Sequence, residues 1–269
     1  MFILKTLVLF YLGASLGSFT NVLVDRGQKG RSLLGRSKCD FCGHPLLWFE
    51  NIPIAGFFLV RGKCLSCKRK LSRQYPIVEL ALAILFVIVG FWSGFMTEPA
   101  SLFAAIKTSY YLFLSFLLVA IFLWDLKYMV IPDSLVASGI VVVLAYAFWK
   151  YFHADCLLFD IHCTVASSIL GGAAVSGFFY FLYFISKGKY IGGGDVKLGV
   201  FLGMIVGWQW AYLLLLFAYI LGAIVAIYLL MAKKKNMRSQ IPFGPFLIMS
   251  TFIVLFFGEK LLYWYRQLL

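Results

Sequence analysis

Charge is scarce in this chain. Only 13% of its 269 residues are charged, against 62% that are hydrophobic, a balance that excludes water as the solvent of most of its surface. Acidic residues are scarcer still, eleven against 24 Lys and Arg. The resulting net charge of +13 would suit a nucleic-acid ligand, but in a membrane protein basic residues report first on topology. Long polar segments are also lacking, and residues 25–75 form the only one. These shortages leave one class: an all-α polytopic membrane protein carrying a small polar insert.

Apolar segments long enough to cross about 30 Å of hydrocarbon are read at 2–24, 76–97, 103–125, 132–152, 164–186, 209–231 and 242–264, with a shorter one at 195–207. Between the first two lie Arg26, Lys29, Arg31, Arg36, Lys38, Arg61, Lys63, Lys68, Arg69, Lys70 and Arg73. That density assigns the insert to the cytoplasm and the amino terminus to the outside. It also resists export, which argues against a cleaved signal peptide at 2–24. Thirteen helical residues in the short segment reach only about 20 Å. If that segment did not cross, Lys233, Lys234 and Lys235 would fall outside, against the charge rule. About eight transmembrane helices are therefore expected, with a locally thin bilayer or a wet cavity beside Asp195. The expected division is a first span at 1–24, an insert at 25–75 and a seven-helix core at 76–269. The basic residues are explained as topology signal, and no nucleic-acid partner is needed.

The insert contains Cys39-Asp40-Phe41-Cys42 and Cys64-Leu65-Ser66-Cys67. Two such pairs can bring four thiolates to the corners of a tetrahedron, and their spacing is close to a zinc ribbon. A structural Zn2+ held by Cys39, Cys42, Cys64 and Cys67 is expected, with His44 flanking rather than ligating. The alternatives are disulfides, disfavoured in a reducing compartment, or free thiols. A fifty-residue insert has little core of its own, so the metal would supply stability. Cys156 and Cys163, with His153 and His162, lie in an outer loop and receive no function.

With so few acids a census is possible. Glu79, Asp125, Asp133 and Asp195 fall along the inner side of the membrane. Asp125 ends the apolar run from Leu117 to Trp124, an expensive place for a charge unless it faces protein or water. Asp195 follows Gly192, Gly193 and Gly194. Capping a helix explains the aspartate, but glycines also permit unusual backbone angles and close approach of another chain. Asp133 after Pro132 reads as a helix start, and Glu79 as a residue favoured by a helix N-terminus. Two facing aspartates can share a water, one acting as base while its protonated partner polarises a carbonyl. Asp125 sits at a helix C-terminus and Asp195 at an N-terminus, so the helix dipoles assign the shared proton to Asp125.

The ordered motifs resemble those of the bacterial type IV prepilin peptidases, GxGD aspartyl proteases of the membrane. They are Gly17-Ser18-Phe19-Thr20-Asn21-Val22, the two cysteine pairs, Asn51-Ile52-Pro53 and Tyr75-Pro76-Ile77-Val78-Glu79. They continue through Asp125 to Asp133, Gly192 to Leu198, and Ile241-Pro242-Phe243-Gly244-Pro245-Phe246. The resemblance implies catalytic roles for Asp125 and Asp195. It implies removal of a basic leader from prepilins or pseudopilins, after glycine, at the cytoplasmic face of the inner membrane. It further implies methylation of the new amino terminus, usually a phenylalanine, with S-adenosyl-L-methionine. No glycine-rich nucleotide loop marks a site for that donor. Gly192, Gly193, Gly194, Glu79, Asp133 and Lys197 are supporting or substrate-binding candidates, and anionic lipid headgroups suit the basic insert. Gly171, Gly172, Ser176 and Gly177 either admit a substrate helix or serve internal packing. Two other classes remain: a transporter using buried carboxylates, which needs polar residues strung across the bilayer, and a non-catalytic zinc-containing adaptor.

Overall fold

The structure, a computed structural model, describes residues 2–96, 101–153, 165–188, 191–232 and 241–268. The Cys156–Cys163 loop and the basic cluster Lys233, Lys234, Lys235 and Arg238 lie outside these residues. Every named element among the described residues is helical, joined only by isolated bridges between Lys38 and Pro45 and between Lys63 and Lys70. In order they are α1 (Phe2–Gly27), α2 (Ala55–Leu59), α3 (Gln74–Trp92), α4 (Leu102–Tyr128), α5 (Asp133–His153), α6 (Val165–Ser186), α7 (Gly193–Val206), α8 (Ala211–Met231) and α9 (Gly244–Leu268). Seven of them are long and apolar enough to cross a membrane. The short segment is a helix as expected, and its 14 residues keep it below that length.

The chain forms two compact units, Met1–Ala120 and Ile121–Leu269, dividing within α4. In the first, α1 lies directly on α3. A Cβ at Gly13 would come within 2.7 Å of Ala83 Cα, and one at Gly17 within 2.6 Å of Glu79 Cα. Two glycines one helical turn apart thus let the backbones meet, over a core that includes Leu82, Ala83 and Phe86. α3 ends at Trp92, short of the expected residue 97, because Gly94 turns the chain with φ 86°. There the Ser93 hydroxyl exchanges a 2.7 Å hydrogen bond with Thr108 of α4.

In the second unit α6 and α7 are antiparallel and in backbone contact. A Cβ on Gly171 would strike Gly203 and Gly207, and one on Gly172 would meet Met204. These small residues therefore serve internal packing, while Gly177 faces open space. The far end of α7 reaches the first turn of α6, where the Trp208 N–H donates to the Ser167 hydroxyl at 3.2 Å. Helices α8 and α9 also run antiparallel: Gly222 faces Phe243 and Phe246, Ser250 donates to the Leu214 carbonyl, and Gly258 faces Trp210.

Candidate functional site

Asp125 is 5% exposed, in the last turn of α4. Its Oδ2 is a buried oxygen without a hydrogen-bond partner among the described residues. The first residue of α9 abuts it, since a Cβ on Gly244 would stand 2.5 Å from that oxygen. An ionisable oxygen buried without a partner costs about 1–3 kcal/mol or more, and a water, an ion or a substrate group is what satisfies such an atom. Asp195 lies in the first turn of α7, half-exposed. It is within electrostatic reach of Asp125, and Tyr219 of α8 is within reach of it in turn. The two acids that the sequence separates are thus in one neighbourhood of one unit. Gly244 was legible only as part of a motif without a role, and Tyr219, one of 15 tyrosines, carried no signal.

The glycines before Asp195 do not supply an unusual backbone. Gly192 is extended, with φ −76° and ψ 148°, and none of the three is among the residues with positive φ. What they supply is room. Nothing lies within 4 Å of a Cβ on Gly193, and the nearest atom to one on Gly192 is Asp195 Oδ2 at 3.7 Å, while Gly194 packs on Ile131. Asp133 begins α5 and accepts both contacts of Lys197 Nζ, at 2.7 and 2.9 Å. This pair is largely exposed, so it ties α5 to α7 and adds little stability.

The four insert cysteines converge. Their sulfurs all lie within 4.8 Å of one another, with Cys39–Cys67 and Cys42–Cys64 each at 3.9 Å. Zn–S bonds of about 2.3 Å in a tetrahedron require sulfurs roughly 3.8 Å apart, so the set fits a metal ion of this kind. The two knuckles share one local design. The Cys39 N–H donates to His44 O and Gly43 N–H to Cys39 O; likewise Cys64 N–H donates to Arg69 O and Lys68 N–H to Cys64 O. Left-handed Gly43 and Lys68 close the two turns. Backbone amides of Cys67 and Ser66 hold the Cys64 thiol down to about 7. Burial pushes Cys39 up to about 11. His44 stands outside the cluster.

Glu79 lies in the first unit. It is buried, accepts the Ile54 N–H at 2.6 Å and bonds the Ser18 side chain. Ile54 holds φ 63°, a strained conformation for a β-branched residue. The charge-assisted bond to Glu79 helps offset that strain. Glu79 thereby anchors the turn after Asn51-Ile52-Pro53 to α3, with Ser18 of α1 on its other side.

A buried aspartate with one oxygen unpartnered among the described residues, within electrostatic reach of a second at a helix start, marks a helical membrane protein with paired carboxylates. The model of the bacterial peptidase A24 N-terminal domain matches residues 11–93, and that of the type IV leader peptidase family matches 111–227. A prepilin leader peptidase/N-methyltransferase of Pseudomonas putida is 31% identical over 93% of this chain and 90% of its own length. The proteins of that name from Pseudomonas aeruginosa and Bacillus subtilis are 30% and 29% identical, covering 99% and 97% of this chain and 94% and 98% of their own. The chain belongs to the type IV leader peptidase family. No solved structure matches it.

Proposed function

We propose that this protein is a membrane aspartyl endopeptidase that removes the basic leader of type IV prepilins or pseudopilins after glycine, and then methylates the new amino terminus with S-adenosyl-L-methionine. The observation that carries the proteolytic reading is the buried, unpartnered Oδ2 of Asp125 within electrostatic reach of Asp195. Asp195, at the positive end of the α7 dipole, acts as base on a water. Asp125 is the acid that polarises the scissile carbonyl and then protonates the leaving amine. The open side of Gly193 leaves space for an extended peptide beside Asp195. Methylation is supported by family membership and by the names of the relatives.

Zn2+ is the ion that the four thiols suit, as a structural group that closes the insert. The charge rule directs the insert and the dyad end of the bundle to the cytoplasmic face of the inner membrane, with the amino terminus outside. Anionic headgroups are the natural partners of the basic insert.

The test is incubation of purified protein with a synthetic prepilin and labelled S-adenosyl-L-methionine, followed by mass measurement of the product's amino terminus. Asp125→Asn and Asp195→Asn are each expected to cut leader removal by about 10²–10⁴-fold, the loss of general acid–base catalysis, while the protein stays folded and inserted. Substantial processing by either variant would refute the dyad.

A further inference from the structure

The insert is the most polar part of the chain, with eleven Lys and Arg against three acids in residues 25–75, yet it holds large apolar side chains in the open. Phe58 and Leu59 of α2 are 68% and 63% exposed. Short as it is, α2 has two distinct faces. Ala55, Phe58 and Leu59 stand at i, i+3 and i+4, the spacing of one helical face, and all three are exposed. Gly56 and Val60, four apart on the other face, are buried. That back face is committed to the insert, because a Cβ on Gly56 would strike the carbonyls of Phe49 and Glu50. The front face stays open.

Depth decides what that front meets. Helix α3 has 19 residues, about 28 Å at 1.5 Å each, so nearly all of it is needed to cross about 30 Å of hydrocarbon. Glu79 lies five residues beyond the first, Gln74, about 8 Å along the axis. It packs against Gly17, ten residues before the end of α1. The Ile54 N–H that donates to the Glu79 carboxylate therefore fixes the start of α2 near this level. A side chain leans toward the start of its own helix, which moves Ile54 outward, to the boundary between hydrocarbon and headgroups. From there the five residues of α2 climb about 8 Å at most, even along the membrane normal. Ile77 and Leu80, exposed on α3 to either side of Glu79, lie near the same depth.

We propose that the open face of α2 is a lipid-docking surface, on which Phe58 and Leu59 enter the edge of the acyl chains while Arg61 and Lys63 hold anionic headgroups. Arg61 and Lys63 follow α2 directly and are exposed. Long cations of this kind lay their stems on apolar surface and reach headgroup phosphates. An apolar face bordered by cations at the edge of the hydrocarbon is the pattern of an interfacial helix. Charge and depth together select a lipid leaflet over a soluble partner. So short a helix would not bind a membrane by itself, but α1 and α3 tether it at both ends, and tethering supplies the effective concentration. Glu79 and the leaflet then hold α2 from two sides. This docking is independent of the activity proposed above and needs no turnover to be read.

The experiment uses the full chain, one copy to a nanodisc, in phosphatidylcholine alone or mixed with phosphatidylglycerol. A trace of lipid carries a diazirine in its acyl chain close to the glycerol. After illumination, adducts are mapped by peptide and scored against those on Ile77 and Leu80. Adducts on Phe58 and Leu59 at comparable yield are expected. Phe58→Asp with Leu59→Asp should cut them by about tenfold, since charge is expelled from hydrocarbon. Phosphatidylglycerol should raise the yield about fivefold, the pull of one basic residue on an anionic surface, and Arg61→Gln with Lys63→Gln should remove that rise. Discs that label Ile77 and Leu80 but not residues 55–60, or a yield unchanged by the two aspartates, would overturn the proposal. Adducts indifferent to phosphatidylglycerol would overturn the part given to Arg61 and Lys63. Adducts lost when a disc holds two copies would mean that a second chain covers the face, and would overturn lipid as its occupant. A variant whose yield on Ile77 and Leu80 changes has disturbed its fold, and the map of the unmodified protein then decides alone.

Discussion

Gly244 packs on one carboxylate and Gly193 lies two residues before the other, yet an added methyl group should act on them in opposite ways. At Gly244 the new carbon would stand 2.5 Å from Asp125 Oδ2 and 3.3 Å from Leu198, so the carboxyl must move. Displacing a reacting group by about 1 Å costs on the order of 10²-fold in rate, and Gly244→Ala is expected to lose that much cleavage. At Gly193 the carbon would meet nothing within 4 Å. Gly193→Ala should leave unfolding within about 0.5 kcal/mol of the parent and raise KM, because the methyl group occupies the space left for the peptide. Paired cleavage kinetics and detergent unfolding curves separate the two. The two carboxylates stood out in the sequence, because acids are few and Asp125 ends an apolar run while Asp195 opens one. Gly244 did not, since its contact joins segments far apart in sequence. Tyr219 reads as one more aromatic in a lipid-facing helix until the fold sets it near Asp195.

Helix existence was readable from apolar runs, and helix ends less so, as the turn at Gly94 shows. The small residues of α6 illustrate why packing is harder still. A run such as Gly171, Gly172, Ser176, Gly177 fits any close neighbour, and only coordinates show that the neighbour is α7. Gly203→Ala would drive a methyl group into the Gly171 carbonyl, backbone that cannot turn aside. It is expected to destabilise the protein by about 1–3 kcal/mol, whereas Gly177→Ala, which meets nothing, should be neutral; thermal unfolding in one detergent reads both. The insert offers a different element-scale test. Cys39→Ser with Cys42→Ser removes half of a four-thiol centre. The double variant, or treatment with a strong chelator, is expected to loosen the insert and reduce methylation more than cleavage, read as the ratio of methylated to unmethylated trimmed product. Equal loss of both activities in folded protein would contradict that division.

For the whole molecule the open question in the sequence was whether α7 crosses, and packing within the second unit answers in favour. Its end reaches Ser167, in the first turn of α6. Gly199 packs beside Ser176, so Asp195, one turn earlier on an antiparallel helix, lies level with about residue 180. Six further residues of α6 extend past it, about 9 Å at 1.5 Å each. The 14-residue α7 therefore reaches the first turn of α6 while starting short of its last turns, and Asp195 lies at that start. Helix α9 agrees, since Gly244 touches Asp125 at one end while Gly258 faces Trp210 at the other. This geometry predicts that the chain changes sides between Lys187 and Gln209. With native thiols blocked or subtracted, an impermeant thiol reagent applied outside intact cells is expected to label Gln209→Cys at once and Lys187→Cys only after permeabilisation. Labelling of both from the same side would mean that α7 returns without crossing, that the Lys233 cluster lies outside, and that the dyad draws its water from some route other than a recess at the cytoplasmic face.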